Sequence, residues 1–113
     1  MIGIDIVETD RIKLLIKNKK FVHRIFSKEE IRYCEKKVNR HQHYAARFAA
    51  KEAVWKALSG KYKIALKKII VKNLNNGKPL VLLDTKEKKL ARTKIDVSLS
   101  HTEKYAVAVA IVK

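Results

Sequence analysis

Three residues of the sequence have types and spacing that suit metal and phosphate chemistry. Asp5 lies within the apolar run of residues 2–7, and Glu52 and Lys56 lie four residues apart in a long helical pattern. Two carboxylates can hold Mg²⁺, which fills its other positions with water and phosphate oxygens, and a nearby lysine binds phosphate as a point charge. The residues also permit plainer readings. Glu52 and Lys56 can form a surface ion pair, and Asp5 can be an edge-strand residue or a helix cap.

A second candidate group lies near the end of the sequence. Ser98 and Ser100 share one face of a predicted strand, and His101 follows at the end of that strand. Hydroxyl and imidazole groups there can donate hydrogen bonds to a phosphate, and the alternative is a polar strand face beside an exposed histidine. A hydrolase triad of Asp96, Ser98 and His101 is disfavoured, because the sequence has no nucleophile elbow of the Gly-x-Ser-x-Gly type.

The elements that must position these residues follow from the periodicity of the apolar side chains. Ile2, Ile4 and Ile6 alternate with Gly3, Asp5 and Val7 and predict a first strand. The sequence predicts helices over 10–19 with Thr9 as cap, 27–37 with a Ser27–Glu30 capping box, 42–59 ending before Gly60, and 85–92 with Thr85 as cap. It predicts further strands over 64–72, 80–83, 95–100 and 105–112, the last two as an antiparallel hairpin. Strands mixed with helices without βαβ alternation indicate an α+β fold, one domain over 1–113.

The long helix over 42–59 is apolar on two sides. One broad face consists of small residues that permit close packing against a sheet, namely Ala46, Ala49, Ala50, Ala53, Val54 and Ala57. Tyr44, Phe48 and Trp55 form a second stripe on nearly the opposite side. We therefore expect this helix to be buried on both faces, with an antiparallel sheet against the small residues.

Composition restricts the class of protein and of partner. Lys and Arg number 27 against 11 Asp and Glu, a net charge of +16, while 47% of residues are hydrophobic, as in a globular domain. The single Cys34 excludes an internal disulfide framework, and no apolar run reaches membrane-spanning length, so we expect an intracellular soluble protein. The charge alone suits nucleic acid, an anionic membrane, a phosphorylated small molecule or an acidic protein.

Four segments occur in an order that is typical of one enzyme family. They are Gly-Ile-Asp-Ile-Val-Glu at 3–8 with Arg11, Phe-Ser-Lys-Glu-Glu at 26–30, the helix segment at 47–57, and Ser-Leu-Ser-His at 98–101 with 105–108. The turn at 76–79 is a further match. Together they resemble the holo-acyl-carrier-protein synthases, small members of the 4′-phosphopantetheinyl transferases, over nearly the whole chain. The sequence departs from the family at 59–62, where the turn is shorter and poorer in glycine.

The resemblance implies a phosphoryl transfer. The expected reaction moves 4′-phosphopantetheine from coenzyme A to a serine of apo acyl carrier protein and releases adenosine 3′,5′-bisphosphate, which supports fatty acid and lipid biosynthesis. Asp5 and Glu52 match the family's Mg²⁺ ligands, and Lys56 matches its basic residue at the coenzyme A pyrophosphate. By the same resemblance Asp5, Glu52 and Lys56 are the catalytic residues, with Glu52 or a metal-bound water as the base.

The resemblance also implies the binding residues and the partners. Arg47, Lys56, Ser100 and His101 match positions that contact coenzyme A, with Arg47 and His101 near the nucleotide and its 3′-phosphate. Arg11 and Arg24 match the basic surface that receives the acidic carrier protein. The family's small members are typically cytoplasmic homotrimers with active sites at subunit interfaces, and neither a nucleic-acid nor a membrane partner is expected.

Two other functions remain open at this point. The first is a basic nucleic-acid-binding domain without catalysis, which has no use for Asp5 and Glu52 beside its ligand and would carry a recognition motif that this sequence lacks. The second is a relative of the transferases that binds coenzyme A without turnover.

Overall fold

Apolar alternation at the two ends of the chain produces one three-stranded antiparallel sheet. The computed structural model describes all 113 residues. In this sheet β1 (Ile2–Glu8), β4 (Ile95–His101) and β5 (Tyr105–Val112) lie in the order β1-β5-β4. The register sets Asp5 opposite Ala108, and Ala108 opposite Leu99. Asp5 therefore lies on an edge strand, on the same sheet face as Leu99.

Five helices and a second, two-stranded sheet complete the chain. The helices are α1 (Thr9–Leu15), α2 (Lys19–Ile25), α3 (Lys28–Glu35), α4 (Arg40–Leu58) and α5 (Lys88–Ala91), with a short 3₁₀ turn over Leu66–Lys68. The second sheet is an antiparallel hairpin of β2 (Ile69–Asn73) and β3 (Pro79–Leu83). Gly77 in its turn has φ +87°, a conformation that favours glycine. None of the helices combines the length and apolarity needed to cross a membrane.

The helix α4 packs across the three-stranded sheet through small residues on both sides. Ala49, Ala50 and Ala53 of the helix are fully buried, as are Ala106 and Ala110 of β5. The closest approach is at Gly3, where an added Cβ would lie 2.0 Å from the Ala53 carbonyl oxygen. The small-residue face of the sequence therefore brings α4 directly against β1. The predicted α+β class, with an antiparallel sheet against a long central helix, is confirmed.

The opposite face of α4 is buried over its first half only. The Tyr44 ring lies 4.9 Å from the Phe26 ring, and the Phe48 ring lies 6.1 Å from the Phe21 ring, centroid to centroid. Trp55, the third member of the predicted stripe, is 42% exposed. The aromatic residues that pack on this stripe, Phe21 and Phe26, contact Phe48 and Tyr44 in the N-terminal half of α4. Trp55 lies beyond them and remains partly exposed.

The first helical segment differs from its prediction. It ends at Leu15 instead of residue 19, and α2, which the sequence analysis missed, begins after Asn18. The Asn18 carboxamide accepts from the Lys20 and Phe21 amides and so caps α2. Lysines around this cap obscure the apolar periodicity. Thr9 is not the cap of α1; it is the first residue of that helix, buried, and its hydroxyl donates to the Glu103 carbonyl.

Smaller differences concern β2 and α5. The strand predicted over 64–72 begins at Ile69, because the preceding residues form the 3₁₀ turn. The cap of α5 is Glu87, whose carboxylate accepts from two helix amides, while the Thr85 hydroxyl only accepts from the Glu87 amide. The Ser27–Glu30 capping box of α3 and the terminal β4–β5 hairpin are confirmed.

Candidate active site

The edge strand β1 and the C-terminal half of α4 bring together the three residues that the sequence selected first. The Lys56 Nζ donates to the Asp5 carboxylate at 2.9 Å and to the Ile4 carbonyl at 3.1 Å. The Asp5 side chain is only 15% exposed, whereas that of Lys56 is 48% exposed. A carboxylate in an apolar strand is expected to have a specific partner, and for Asp5 this partner is the half-exposed ammonium group of Lys56.

Glu52 lies close enough to Asp5 for the two carboxylates to repel each other. Burial raises the pKa of Glu52, the charge of Asp5 raises it further, and Lys56 and Arg11 oppose the shift. No third histidine, cysteine or carboxylate joins them in a cluster that could hold a metal. A pair of oxygen donors that repel each other fits a hard cation such as Mg²⁺, which takes one or two carboxylates and keeps several waters.

The Asp5–Lys56 contact borders an apolar surface. Along β1 and β5 every second side chain points away from α4, and we call these residues the outer sheet face: Ile2, Ile4, Ile6, Val107, Val109 and Ile111. Ile2, Ile4 and Ile6 are 69%, 63% and 66% exposed. A cavity of about 300 Å³ lined by Ile4, Asp5, Ile6, Lys56 and Val107 joins this face to the charged residues.

Arg47 lies on another side of α4 and is almost completely buried. Its Nη2 donates to the Asn73 Oδ1 at 2.5 Å, and its guanidinium carbon lies 3.9 Å from the centre of the Tyr33 ring. Its Nε is buried without a hydrogen-bond partner. The partners of the Arg47 guanidinium, the Asn73 amide and the Tyr33 ring, carry no negative charge. The positive charge of Arg47 is therefore buried without a counter-charge, which is energetically costly.

One turn along the same helix, Lys51 forms a buried ion pair with Glu30. The Lys51 Nζ donates to the Glu30 Oε1 and to the Ile69 carbonyl, both at 2.5 Å, and neither side chain is exposed. The Glu30 Oε2 accepts from the Val71 amide at 2.9 Å. Burial lowers the pKa of Lys51, and Glu30 opposes this. The Glu30–Lys51 pair therefore joins α3, α4 and β2.

Sequence reasoning did not find Tyr33, Asn73 or the Glu30–Lys51 pair. Glu30 was assigned only to the capping box, where its carboxylate indeed accepts from the Ser27 amide. No local signal connects Arg47 to Asn73, which is 26 residues away. The only indication in the sequence was that Lys51 lies among alanines in a helix predicted to be buried on both faces. A lysine is almost never fully buried unless it has an anionic partner.

His101 faces the N-terminal half of α4. Its ring lies 6.2 Å from the His43 ring, and burial together with Lys37, Arg47 and His101 lowers the pKa of His43. A polar cleft of about 550 Å³ opens beside it, lined by Asp10, Lys13, Asn39, His41, Gln42, His101, Thr102 and Glu103. Ser98 and Ser100 point to the other side of the sheet, because they pair with Val109 and Val107 of the outer sheet face. The serines and the histidine therefore do not share one face.

The candidate residues form two groups along α4. His43 and Glu52 lie nine positions apart on the helix, which corresponds to about 13.5 Å along its axis. Arg11 of α1 is exposed and acts electrostatically on Glu52, and Arg24 is exposed in the last turn of α2.

Cys34 is buried, and burial raises the pKa of its thiol to about 12, which agrees with a packing role.

Comparison with protein families gives a match over most of the chain. The family model described as the 4′-phosphopantetheinyl transferase superfamily matches residues 1–110. A holo-[acyl-carrier-protein] synthase of Ruminiclostridium cellulolyticum is 46% identical over 122 residues, covering 99% of this chain and 90% of that protein. A holo-[acyl-carrier-protein] synthase of Clostridium tetani is 45% identical, covering 99% of this chain and 94% of that protein.

Solved structures of the same kind share the fold. The Helicobacter pylori holo-[acyl-carrier-protein] synthase in complex with coenzyme A superposes with a TM-score of 0.86 at 32% identity, and all of both chains is covered. The Neisseria meningitidis holo-[acyl-carrier-protein] synthase gives a TM-score of 0.87 at 28% identity, covering 99% of this chain and 96% of that one. The chain therefore belongs to the 4′-phosphopantetheinyl transferase superfamily, as a small transferase of the holo-acyl-carrier-protein synthase type.

Proposed function

We propose that the protein transfers 4′-phosphopantetheine from coenzyme A to a serine of an apo acyl carrier protein. The serine oxygen forms a bond to the β-phosphorus of the coenzyme A pyrophosphate, and the bond from that phosphorus to the bridging oxygen breaks. Adenosine 3′,5′-bisphosphate leaves with the bond's electron pair, and the serine proton passes to a base. The observation that carries the proposal is the Asp5–Glu52–Lys56 group, in a chain that matches this family from end to end.

Asp5 and Glu52 are the residues that would hold Mg²⁺, because their carboxylates lie close enough to act on each other. When bound, the ion supplies charge neutralisation at the pyrophosphate. Lys56 binds a pyrophosphate oxygen; its ammonium group is half exposed and its flexible chain can exchange Asp5 for phosphate. As the resemblance implies, Glu52 or a metal-bound water would accept the serine proton. Most of the catalysis is then charge stabilisation and positioning.

Arg47, Ser100 and His101 are our candidates for the nucleotide end of coenzyme A. Arg47 supports this assignment because its buried charge has no carboxylate partner and its Nε makes no hydrogen bond. His101 supports it because its ring borders the polar cleft beside α4. Ser100 lies on the outer sheet face and reaches the same ligand only if the ligand passes between subunits.

We propose that the outer sheet face is the contact between subunits of a homotrimer. Its isoleucines are about two-thirds exposed, and burying such side chains is worth about 1.5–3 kcal/mol each. The cavity at Asp5 and Lys56 opens onto this face, so a neighbouring chain would complete the site. Ile4→Lys should convert the trimer to monomers in sedimentation velocity and abolish turnover, whereas Leu14→Lys, an exposed change on α1, should leave the assembly intact. A monomeric parent protein would contradict the proposal.

Arg11 and Arg24 are our candidates for docking the carrier protein. Both are exposed on the helices that follow β1, and Arg11 acts electrostatically on Glu52. Acyl carrier proteins are acidic, so the net charge of +16 would accelerate their association. We place the reaction in the cytoplasm, where it would supply holo carrier protein to fatty acid synthesis.

The direct test is to incubate the protein with coenzyme A, Mg²⁺ and an apo acyl carrier protein and to weigh the carrier by mass spectrometry. We expect a mass gain of one phosphopantetheine, stoichiometric release of adenosine 3′,5′-bisphosphate, and loss of both when a chelator removes the metal. Binding of coenzyme A without a mass gain would overturn the proposal in favour of a relative that binds the ligand without turnover.

A further inference from the structure

We propose that Asn73 is a positioning residue that orients the Arg47 guanidinium toward coenzyme A. This inference rests on the proposed function, because it concerns the same ligand. Its starting point is the contact between the Arg47 Nη2 and the Asn73 Oδ1, the only hydrogen bond of that guanidinium.

Both polar ends of the Asn73 side chain are occupied. The Oδ1 accepts from Arg47 at 2.5 Å, and the Nδ2 donates to the Gly77 carbonyl at 3.1 Å. A carboxamide that accepts at one end and donates at the other has a single orientation. The turn of the hairpin thus fixes Asn73, and Asn73 in turn fixes one edge of the guanidinium while the Tyr33 ring supports its plane at 3.9 Å.

The position of Asn73 does not depend on Arg47 alone. Arg47 and Lys51 lie one turn apart on the same side of α4 and both reach β2. The Glu30–Lys51 pair holds the beginning of β2 through the Ile69 carbonyl and the Val71 amide. These contacts fix the position of β2 relative to α4. The last residue of the strand, Asn73, is thereby held next to the Arg47 guanidinium.

The neutral side chain of Asn73 can orient the Arg47 guanidinium without neutralising its charge. A carboxylate there would form a charge-assisted bidentate pair with Arg47 and cancel its charge. The neutral amide directs the guanidinium and leaves the charge for an anion, and the unpartnered Nε leaves a donor for it. An asparagine at this position therefore predicts an anionic ligand, and within coenzyme A the 3′-phosphate is the group that Arg47 is assigned to meet.

The experiment compares two ligands by isothermal titration calorimetry, coenzyme A and dephospho-coenzyme A, which lacks the 3′-phosphate. The parent protein should prefer coenzyme A. Asn73→Ala should reduce that preference by about 10-fold, since a hydrogen bond to a charged group is lost. Asn73→Asp retains an acceptor for Arg47 but should reduce the preference by a similar factor, because it neutralises the guanidinium. Asn75→Ala, in the exposed turn of the same hairpin, is the matched control and should leave the preference unchanged.

A double variant decides whether Asn73 acts through Arg47. Arg47→Ala should abolish the preference, and Arg47→Ala with Asn73→Ala should lose nothing more. Additive losses, or an undiminished preference in both Asn73 variants, would overturn the inference while leaving the proposed function intact. A parent protein that binds neither ligand would instead refute the proposed function. Both Asn73 variants lose the donation from Nδ2 to the Gly77 carbonyl, so thermal unfolding of each variant checks the fold. The affinity for dephospho-coenzyme A is the second readout, because a loosened hairpin would lower it as well, whereas a misoriented Arg47 lowers only the preference for the 3′-phosphate.

Discussion

At the scale of single residues, Glu52 and Lys51 show how neighbouring positions of one helix take opposite roles. Consecutive helical residues point about 100° apart, so Lys51 is directed into the protein toward Glu30, while Glu52 is directed toward Asp5 at the edge of β1. Lys51 pairs with the Glu30 carboxylate and therefore does not compete with Lys56 for Asp5. This separation keeps the Lys51 charge away from Asp5 and Glu52, as the proposed Mg²⁺ site requires.

Glu52→Gln should abolish turnover and leave the fold unchanged. The substitution keeps the size of the side chain but removes the charge that the proposed Mg²⁺ site needs and the base that would accept the serine proton. The carrier mass assay should show less than about 1% of the parent rate, corresponding to roughly 2.7 kcal/mol or more of lost transition-state stabilisation. Glu29→Gln, which removes only an exposed partner of Lys72, is the control. Near-parental activity of Glu52→Gln would exclude Glu52 from the site.

At the scale of elements, β1 and α4 come into direct backbone contact at Gly3. Gly3→Ala should lower the free energy of unfolding by about 1–3 kcal/mol or more, because its Cβ would meet the Ala53 carbonyl oxygen at 2.0 Å, and backbone on both sides must move. Gly60→Ala is the matched control. Nothing lies within 4 Å of its added Cβ, and we expect a gain of about 0.4–1 kcal/mol from reduced unfolded-state entropy. Equal urea midpoints for the two variants would contradict the packing argument.

The Glu30–Lys51 pair should show strong coupling in a double-mutant cycle. Lys51→Met or Glu30→Gln alone leaves the other partner buried without its counter-charge, and we expect each to lower the free energy of unfolding by about 3–5 kcal/mol. The double variant should lose clearly less than the sum of the two, because no charge is then stranded. Urea titrations of the four proteins measure this. Strictly additive losses would mean that the two side chains stabilise separate parts of the fold.

The sequence predicted the elements whose signals are local. The alternation in β1, β4 and β5 and the Ser27–Glu30 box of α3 carry their own periodicity or capping chemistry, and the structure confirms them. The missed helix α2 has a polar, lysine-rich beginning, and its stability comes from packing Val22 and Phe21 against the core. Tertiary packing of this kind leaves no periodic pattern in seven residues.

The sequence selected candidate site residues but not their arrangement in space. The residue types and the order of four motifs identified Asp5, Glu52 and Lys56, and the contact between Lys56 and Asp5 spans 51 residues of sequence. Successive side chains of a strand point to opposite faces, which is why Ser100 and His101 lie on opposite sides of the sheet. Which of the two shares a face with Asp5 depends on the pairing register of β1, β5 and β4, and no local pattern encodes that register. The supports of Arg47 depend on where the hairpin packs, and no local pattern encodes that.

At the scale of the whole molecule, charge should determine how fast the carrier protein arrives. Arg11→Glu reverses a charge on the exposed side of α1, and we expect it to weaken carrier binding much more than coenzyme A binding. Raising the salt concentration should weaken carrier association in the parent protein and weaken it less in the variant. Surface plasmon resonance at two salt concentrations separates these effects. Equal losses for both ligands would contradict the division of the basic surface into carrier and nucleotide parts.

The pairing of β1 with β5 has a consequence for how the protein comes into being. Asp5 lies on a strand whose only neighbouring strand is β5, so about 100 residues of chain must close into a loop before the ladder hydrogen bonds of β1 can form. Such long-range closure is slow compared with the formation of α3 or the β2–β3 hairpin. During synthesis, β1 therefore has no partner strand until residues 105–112 have emerged from the ribosome. Pulse-labelled hydrogen exchange should show β1 amides gaining protection together with those of β5, in the last folding step rather than the first.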